Sequence, residues 1–157
     1  MWNGNILKYQ NIRAVDKFDL VSAIYPGAPI VVTGHSLGGA LATHVSLNRT
    51  NARAYVFNSS PRFFKTDKCD VPDCGNERDS IVEYGEINKI FRIFGSEPTQ
   101  TYTSIGCIDG ANPLTNHSMR DLAICLASIA QVEVNYETGE TVHLNFPRIK
   151  QGQAETP

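Results

Sequence analysis

Residues 30–42 read Ile-Val-Val-Thr-Gly-His-Ser-Leu-Gly-Gly-Ala-Leu-Ala, and this run determines which fold the chain can adopt. Its β-branched beginning predicts a short strand buried on both faces of a parallel sheet. Its small apolar end predicts a helix packed against that sheet. Between them, residues 34–38 fit the G-x-S-x-G pattern, in which a sharp strand-to-helix turn lifts the serine, here Ser36, clear of the sheet.

The glycines and the serine of this turn have separate physical roles. Glycine lets the backbone turn sharply where a β-carbon would collide. The helix that begins near Leu37 offers backbone N–H groups to an oxyanion. Ser36 is therefore the candidate nucleophile and the Leu37 amide the candidate oxyanion donor. A glycine-rich turn without chemistry is the alternative interpretation, and the strand before it and the helix after it favour the nucleophile elbow.

A nucleophilic serine needs a base, and after an elbow of this kind the acid and then the histidine follow along the chain. His35 lies inside the turn, His44 lies roughly 12 Å along the outgoing helix, and His143 lies in a strand-like alternation. These three are interpreted as structural or surface histidines. His117 stands at a loop-to-helix junction and is the candidate base, with a surface or helix-capping histidine as the alternative.

The acid is expected between Ser36 and His117, directly after a strand of the sheet, where ligands bind in open α/β folds. Glu97 meets both conditions because it follows the strand predicted over residues 90–94. Asp109 is the alternative acid, although its Asp-Gly context is typical of an ordinary turn.

The alternation of apolar segments predicts an α/β chain with one domain over residues 1–150. A helix before Pro26 is followed by the strand, elbow and helix described above. The further predicted elements are a strand over 54–57, a polar loop over 65–79, a helix over 80–84, a strand over 90–94, a helix over 115–130 capped by Thr115 or Asn116, a β-hairpin from 132–136 and 142–146, and a frayed tail over 151–157.

Composition narrows the classes of function. The chain has 157 residues, 41% of them hydrophobic, and 14 Lys and Arg against 16 Asp and Glu give a formal charge of -2, without the basic footprint of a nucleic-acid binder. The longest apolar run is shorter than the roughly 18–20 residues that span a membrane. No signal peptide is visible, so the compartment stays open, with the cytoplasm as the default.

The cysteine spacing shows neither a C-x-x-C pair nor a structural zinc pattern, so no metal site or cofactor is expected. Cys69 and Cys74 are close enough in sequence to pair in a loop. The irregular spacing nevertheless favours free thiols for both of them and for Cys107 and Cys125.

Residues 31–42 resemble the nucleophile segment of the class 3 lipases, the fungal triacylglycerol lipase family with its bacterial and phage relatives. The resemblance continues in a strand ending in Pro-Arg over 55–62, in residues 91–98 and in residues 116–119. It implies an α/β-hydrolase-like fold and hydrolysis of lipid-like or other carboxylic esters. It also implies a triad of Ser36, Glu97 and His117, with the Leu37 amide in the oxyanion hole.

Two departures from the family's pattern qualify these expectations. The family usually has Asp where Glu97 stands, so the loop must compensate for one extra methylene. About 29 residues precede the nucleophile strand, so the chain resembles the C-terminal part of the fold. The expected architecture is then a partial parallel sheet flanked by helices, without the N-terminal strands and with a C-terminal β-hairpin.

The small number of residues before the nucleophile strand also affects the activity and the partners that we expect. The loop that normally supplies a second oxyanion donor is not expected in this chain, and losing one donor lowers kcat by about 10²–10³. A weak esterase that self-associates or binds an N-terminal partner chain is therefore expected, because an open apolar sheet edge promotes association. The alternative function is that of an incomplete hydrolase remnant acting as a binding module.

Overall fold

The computed structural model describes residues 4–61, 69, 72–85, 101–106, 112, 114, 116–130, 132–134 and 141–143. Helices and strands alternate through most of this part of the chain. The elements are, in order, α1 (Gly4–Ile24), β1 (Ile30–His35), α2 (Leu37–Ser46), β2 (Ala52–Phe57), a 3-10 turn (Pro72–Gly75), β3 (Arg78–Glu83), β4 (Thr101–Ile105), α3 (Met119–Ala130), β5 (Val132–Val134) and β6 (Thr141–His143).

The main sheet has the strand order β1-β2-β3-β4, and β1, β2 and β3 are parallel. Its register pairs Val32 with Ala54 and Tyr55 with Asp79. Strands β5 and β6 form a separate antiparallel pair. The predicted α/β-hydrolase-like fold, with a parallel sheet flanked by helices and a C-terminal hairpin, is confirmed. No helix among the described residues is both long and apolar enough to cross a membrane.

The chain divides into two compact units, which we call the first and the second unit. The first comprises Met1–Val82 and Asn88–Thr103, and the second comprises Glu83–Ile87 and Ser104–Pro157. The first unit contains α1, β1, α2 and β2. The second contains α3 and the hairpin, and its fully buried Leu122 lies on α3.

Helix α1 ends before Pro26, as predicted, because a proline cannot continue the hydrogen bonding of a helix. Its buried side chain Phe18 packs with Val45 of α2 and Ala52 of β2. Burial of one such aromatic side chain stabilises a fold by about 1.5–3 kcal/mol. This contact attaches α1 to the βαβ unit that carries Ser36.

An ion pair also joins α1 to the turn after α2. The guanidinium of Arg49 donates to both carboxylate oxygens of Asp19, at 2.6 and 2.7 Å. Hydrogen bonding by Arg49 lowers the pKa of Asp19, against the opposing effect of burial. Both side chains are partly exposed, so the pair contributes about 0.2–1 kcal/mol. That contribution is present above an aspartate's unfolded pKa of about 3.9 and is lost as the pH falls through the lower folded value.

The core of the first unit lies between α2 and one face of the sheet. Ala52, Ala54 and Val56 of β2 are 0–1% exposed, and Ala42 of α2 packs against the last two together with Val32. Small side chains on both elements let the helix approach the strands closely. The predicted burial of α2 is therefore confirmed.

The prediction that β1 is buried on both faces is wrong. Ile30 and Val32 are half-buried, whereas Val31 is 55% exposed and Thr33 is exposed. The cause is that α1 and α2 both pack on the Ile30 and Val32 side. In the described part of the first unit, no helix covers the opposite face.

The loop predicted over 65–79 and the helix predicted over 80–84 are both interrupted by strand β3. This strand pairs with β2 in parallel, with Ala54 beside Arg78 and Val56 beside Ser80. Its side chains alternate as strand residues do, with Arg78, Ser80 and Val82 each at most 3% exposed. Polar residues at two of these three buried positions concealed the strand pattern.

The cysteines also differ from the prediction of free thiols. Cys69 and Cys74 form a disulfide whose Cα atoms lie 5.2 Å apart, and Cys125 is disulfide-bonded as well. The first bond closes a short loop with a sequence separation of 5, and its Cys74 lies in the 3-10 turn. Among the described residues no cysteine is a free thiol, and Cys107 lies outside them.

The side chain of Asn76 joins the end of α2 to the beginning of β2. Its amide nitrogen donates to the carbonyl oxygens of Ser46 at 2.7 Å and Arg49 at 2.6 Å. Its amide oxygen accepts from the Ala52 backbone N–H at 3.0 Å. One side chain therefore supplies three hydrogen bonds to the α2–β2 turn.

Helix α3 begins at Met119 and not at the predicted Thr115 or Asn116. Its cap is Ser118, whose hydroxyl accepts from the Asp121 backbone N–H at 3.4 Å. Asn116 instead donates from its side chain to the carbonyl of Tyr84 at 3.0 Å. The strand predicted over 90–94 and the tail predicted over 151–157 lie outside the described residues.

Candidate active site

Ser36 connects β1 to α2 in a backbone conformation that serine rarely adopts. Its φ is 53° and its ψ is -123°. A positive φ brings the β-carbon of an L-residue close to its own backbone, and strain of this kind is of order 1–3 kcal/mol. The turn predicted from the G-x-S-x-G pattern is therefore present, with its strain located at the serine.

Three backbone hydrogen bonds hold Ser36 in this conformation. Its N–H donates to the carbonyl of Phe57 at 3.1 Å, and its carbonyl accepts from the N–H of Ser60 at 3.0 Å. The same carbonyl accepts from the N–H of Ala40 at 3.2 Å, which is the first hydrogen bond of α2. The residues at and just after the end of β2 thus compensate for the strain at the end of β1.

The hydroxyl of Ser36 does not cap the helix that follows it. A serine before a helix commonly caps it by accepting from an N–H of the first turn. Ser36 occupies the N-cap of α2 but makes no side-chain capping bond. Its Oγ lies instead 3.5 Å from the Oγ of Ser60, and both residues are half-buried.

The beginning of α2 provides the electrostatic setting for an anion beside Ser36. Leu37 is the first residue of the helix, and the N–H groups of a first turn have no acceptor within their own helix. The helix dipole adds a partial positive charge at the same end. An oxyanion formed at Ser36 would therefore lie beside N–H donors, among them the Leu37 amide.

The glycines of the turn differ in whether a β-carbon would fit at their positions. A β-carbon on Gly34 would collide with the Gly38 carbonyl group and lie 2.7 Å from the Gly39 nitrogen. A β-carbon on Gly39 would lie 2.9 Å from the side chain of Ser59. A β-carbon on Gly38 would meet no atom within 4 Å. The assumption that both glycines of the pattern prevent collisions therefore holds for Gly34 and not for Gly38.

This difference predicts opposite outcomes for two alanine substitutions. Gly34→Ala is expected to destabilise the fold by about 1–3 kcal/mol or more, because the backbone around the turn must shift. Gly38→Ala is expected to leave stability unchanged or to raise it by up to about 1 kcal/mol, since alanine favours a helix. Urea unfolding of both variants measures the difference. Equal destabilisation by the two substitutions would contradict the assigned collision.

His117, the candidate base, lies in the second unit, in the turn before α3. Its backbone N–H donates to the carbonyl of Leu114 at 3.2 Å, and the residue is half-buried. The preceding Asn116 is 4% exposed and binds Tyr84 through its side chain and the carbonyl of Asn112 through its backbone. The side chain and the backbone of Asn116 therefore both fix the position of the chain next to His117.

The other candidates have simpler placements. His35 is the last residue of β1 and is half-buried, His44 is 5% exposed in α2, and His143 ends β6. Glu97 and Asp109, the two candidate acids, lie outside the described residues. The structure thus brings together Ser36 and the first turn of α2 in the first unit and places His117 in the second.

Sequence reasoning missed Ser60. A signal was present, because Ser36 comes directly after β1 and Ser60 comes three positions after β2, and the carboxyl ends of adjacent parallel strands meet at one edge of a sheet. No group of three or more His, Cys, Asp or Glu residues capable of holding a metal ion occurs within the described part of the chain.

The strand, strained serine and helix beside a parallel sheet have the strand-turn-helix geometry that α/β hydrolases show at this place in their fold. Residues 7–63 match the family model described as Lipase (class 3), so this part of the chain is similar to that family. The matched segment contains all of β1, α2 and β2, and so includes the turn that carries Ser36. Comparison with curated proteins gave no match, and comparison with solved structures gave none.

Proposed function

We propose that the protein is a serine ester hydrolase that cleaves carboxylic, lipid-like esters through an acyl-enzyme on Ser36. The observation that carries the proposal is the conformation of Ser36, which is strained at φ 53° while its hydroxyl makes no capping bond to α2. Residues held in strained conformations of this kind cluster at functional sites. The family match over residues 7–63 supports a lipase-type hydrolase in general.

In the proposed reaction the Oγ of Ser36 attacks the ester carbonyl carbon and His117 accepts the serine's proton. The carbonyl oxygen becomes an oxyanion, which the Leu37 amide stabilises. When the tetrahedral intermediate collapses, His117 returns the proton to the departing alcohol. A water molecule, deprotonated by His117, then attacks the acyl-enzyme. The carboxylic acid is released, and His117 returns the proton to the Oγ of Ser36.

An acid that orients His117 completes the proposed machinery. Glu97 is the first candidate and Asp109 the second. Either carboxylate would hold the imidazole in the tautomer that accepts a proton from Ser36 and would stabilise the imidazolium that forms.

Labelling with a fluorophosphonate tests the proposal without knowledge of the natural ester. In this reaction an Oγ–P bond forms, the P–F bond breaks, fluoride leaves and the serine's proton passes to the base. We expect modification of Ser36, located by peptide mass spectrometry, in the folded chain and none in urea-unfolded chain, because only the folded site activates the hydroxyl. An unlabelled folded chain would instead favour a binding module built on the hydrolase scaffold.

A further inference from the structure

We propose that Ser60 is a positioning residue whose hydroxyl donates to the Oγ of Ser36 and holds that oxygen ready for attack. The inference rests on the proposed role of Ser36 as the nucleophile. Its first observation is the contact itself, since the two Oγ atoms lie 3.5 Å apart. Ser36 and Ser60 come from the ends of neighbouring strands and are separated by 24 positions in the chain.

The backbone holds the two serines in place. The N–H of Ser60 donates to the carbonyl of Ser36 at 3.0 Å, and the N–H of Ser36 donates to the carbonyl of Phe57 at 3.1 Å. Ser36 accepts one of these bonds and donates the other, so two hydrogen bonds join the elbow to the residues at and just after the end of β2. The two Cα atoms are therefore fixed relative to each other, and rotation about χ1 alone decides how the hydroxyls meet.

The residues between Phe57 and Ser60 are themselves held tightly. Asn58 is fully buried at a φ of 42°, and its N–H donates to the carbonyl of Ile81 at 2.9 Å. Ser59 packs against Gly39 so closely that a β-carbon on that glycine would lie 2.9 Å from the serine side chain. The segment that leads from β2 to Ser60 is thus fixed by a hydrogen bond to β3 and by close packing against α2.

The chemistry of the contact favours Ser60 as the donor. A nucleophilic serine must keep its own proton available to the base, and a hydrogen bond received by Oγ does not consume that proton. Such a bond would also select one of the three staggered χ1 positions of Ser36.

The length of the contact suggests when it acts. Hydroxyl hydrogen bonds are usually about 2.7–2.8 Å long, so 3.5 Å is a weak contact in the resting protein. Hydrogen bonds to charged oxygen are shorter and stronger than those to neutral oxygen. The bond from Ser60 should therefore tighten as negative charge develops on the Oγ of Ser36. An interaction that strengthens toward the transition state raises kcat and leaves KM unchanged.

Ser60→Ala tests the role, with Ser128→Ala as a matched control. Alanine at position 60 removes the hydroxyl and keeps the backbone N–H that binds Ser36. Ser128 is an exposed serine of α3, and its hydroxyl donates to the carbonyl of Ile124 at 2.9 Å. We expect Ser60→Ala to lower kcat for a p-nitrophenyl ester and the fluorophosphonate labelling rate constant about 3- to 10-fold, with KM unchanged. Ser128→Ala should leave both rates unchanged, and Ser60→Thr should restore them.

The inference would be overturned by equal rates for Ser60→Ala and the unmodified chain, or by an equal loss in Ser128→Ala. Failure of Ser60→Thr to restore the rates although it folds would also overturn it. Circular dichroism and urea unfolding establish folding for every variant. An unmodified chain that does not react at Ser36 would overturn the proposed function together with this inference. Equal labelling of Ser60→Ala and the unmodified chain would overturn the positioning role alone.

Discussion

Replacement of Ser36 by alanine is expected to lower ester hydrolysis by about 10⁴–10⁶-fold and to leave the protein folded. The hydroxyl would form the bond to the acyl group, so its removal ends the covalent route. The same hydroxyl makes no capping bond to α2, and the three hydrogen bonds that hold the turn involve backbone atoms that alanine retains. Turnover of a p-nitrophenyl ester and a urea unfolding curve measure the two effects.

Ser128→Ala provides the matched control for this substitution. Its hydroxyl is exposed on α3 and donates to the carbonyl of Ile124 at 2.9 Å, so the change removes one surface hydrogen bond. We expect this variant to hydrolyse the ester as the unmodified chain does. Hydrolysis retained by Ser36→Ala would remove Ser36 from the role of nucleophile, and the acyl-enzyme mechanism with it.

Replacement of His117 by alanine is expected to be nearly as damaging, again about 10⁴–10⁶-fold in kcat, because the members of a triad fail as a unit. Without the base, the proton of Ser36 has no acceptor as the oxygen attacks. The backbone N–H of residue 117 that donates to Leu114 is retained in the variant, so the turn before α3 should keep its conformation. Steady-state kinetics with the same ester measure the loss.

His143→Ala is the control for that experiment, since His143 ends a hairpin strand far along the chain and is not the proposed base. It should leave kcat unchanged. If His143→Ala proved the more harmful of the two substitutions, the assignment of the base would be wrong.

The elbow could be predicted from sequence because its causes are local. Gly34 lies four positions before the carbonyl group that excludes a β-carbon there, and Pro26 ends α1 by its own geometry. Pairs of parallel strands followed by helices also leave a periodic pattern. These features require only neighbouring residues, so β1, α2 and β2 were all anticipated.

The features that could not be predicted depend on distant contacts. Strand β3 was missed because Arg78 and Glu83 are buried although charged, and burial of a charge depends on partners that a local pattern does not reveal. Val31 was predicted to be buried because a β-branched run does not state how many faces of a sheet are covered.

The residues of the candidate site also divide into those with local causes and those that depend on distant contacts. Ser36 and the Leu37 amide belong to one turn and were located by its pattern. The apposition of Ser60 depends on the parallel register of β1 and β2 and on hydrogen bonds across the strand ends. The sequence supplies only the order in which the candidate acid and base follow, because their meeting with Ser36 depends on how distant segments close.

The hydrogen bonds of Asn76 impose an order on the assembly of this protein. The three backbone groups that its side chain binds lie 30, 27 and 24 positions earlier in the chain. During synthesis from the N-terminus, the α2–β2 turn is complete as a polypeptide well before residue 76 leaves the ribosome. Two carbonyl groups and one N–H must meanwhile bind water in place of the amide. The helix that carries the serine elbow therefore reaches its final hydrogen bonding only after a much later segment has been translated.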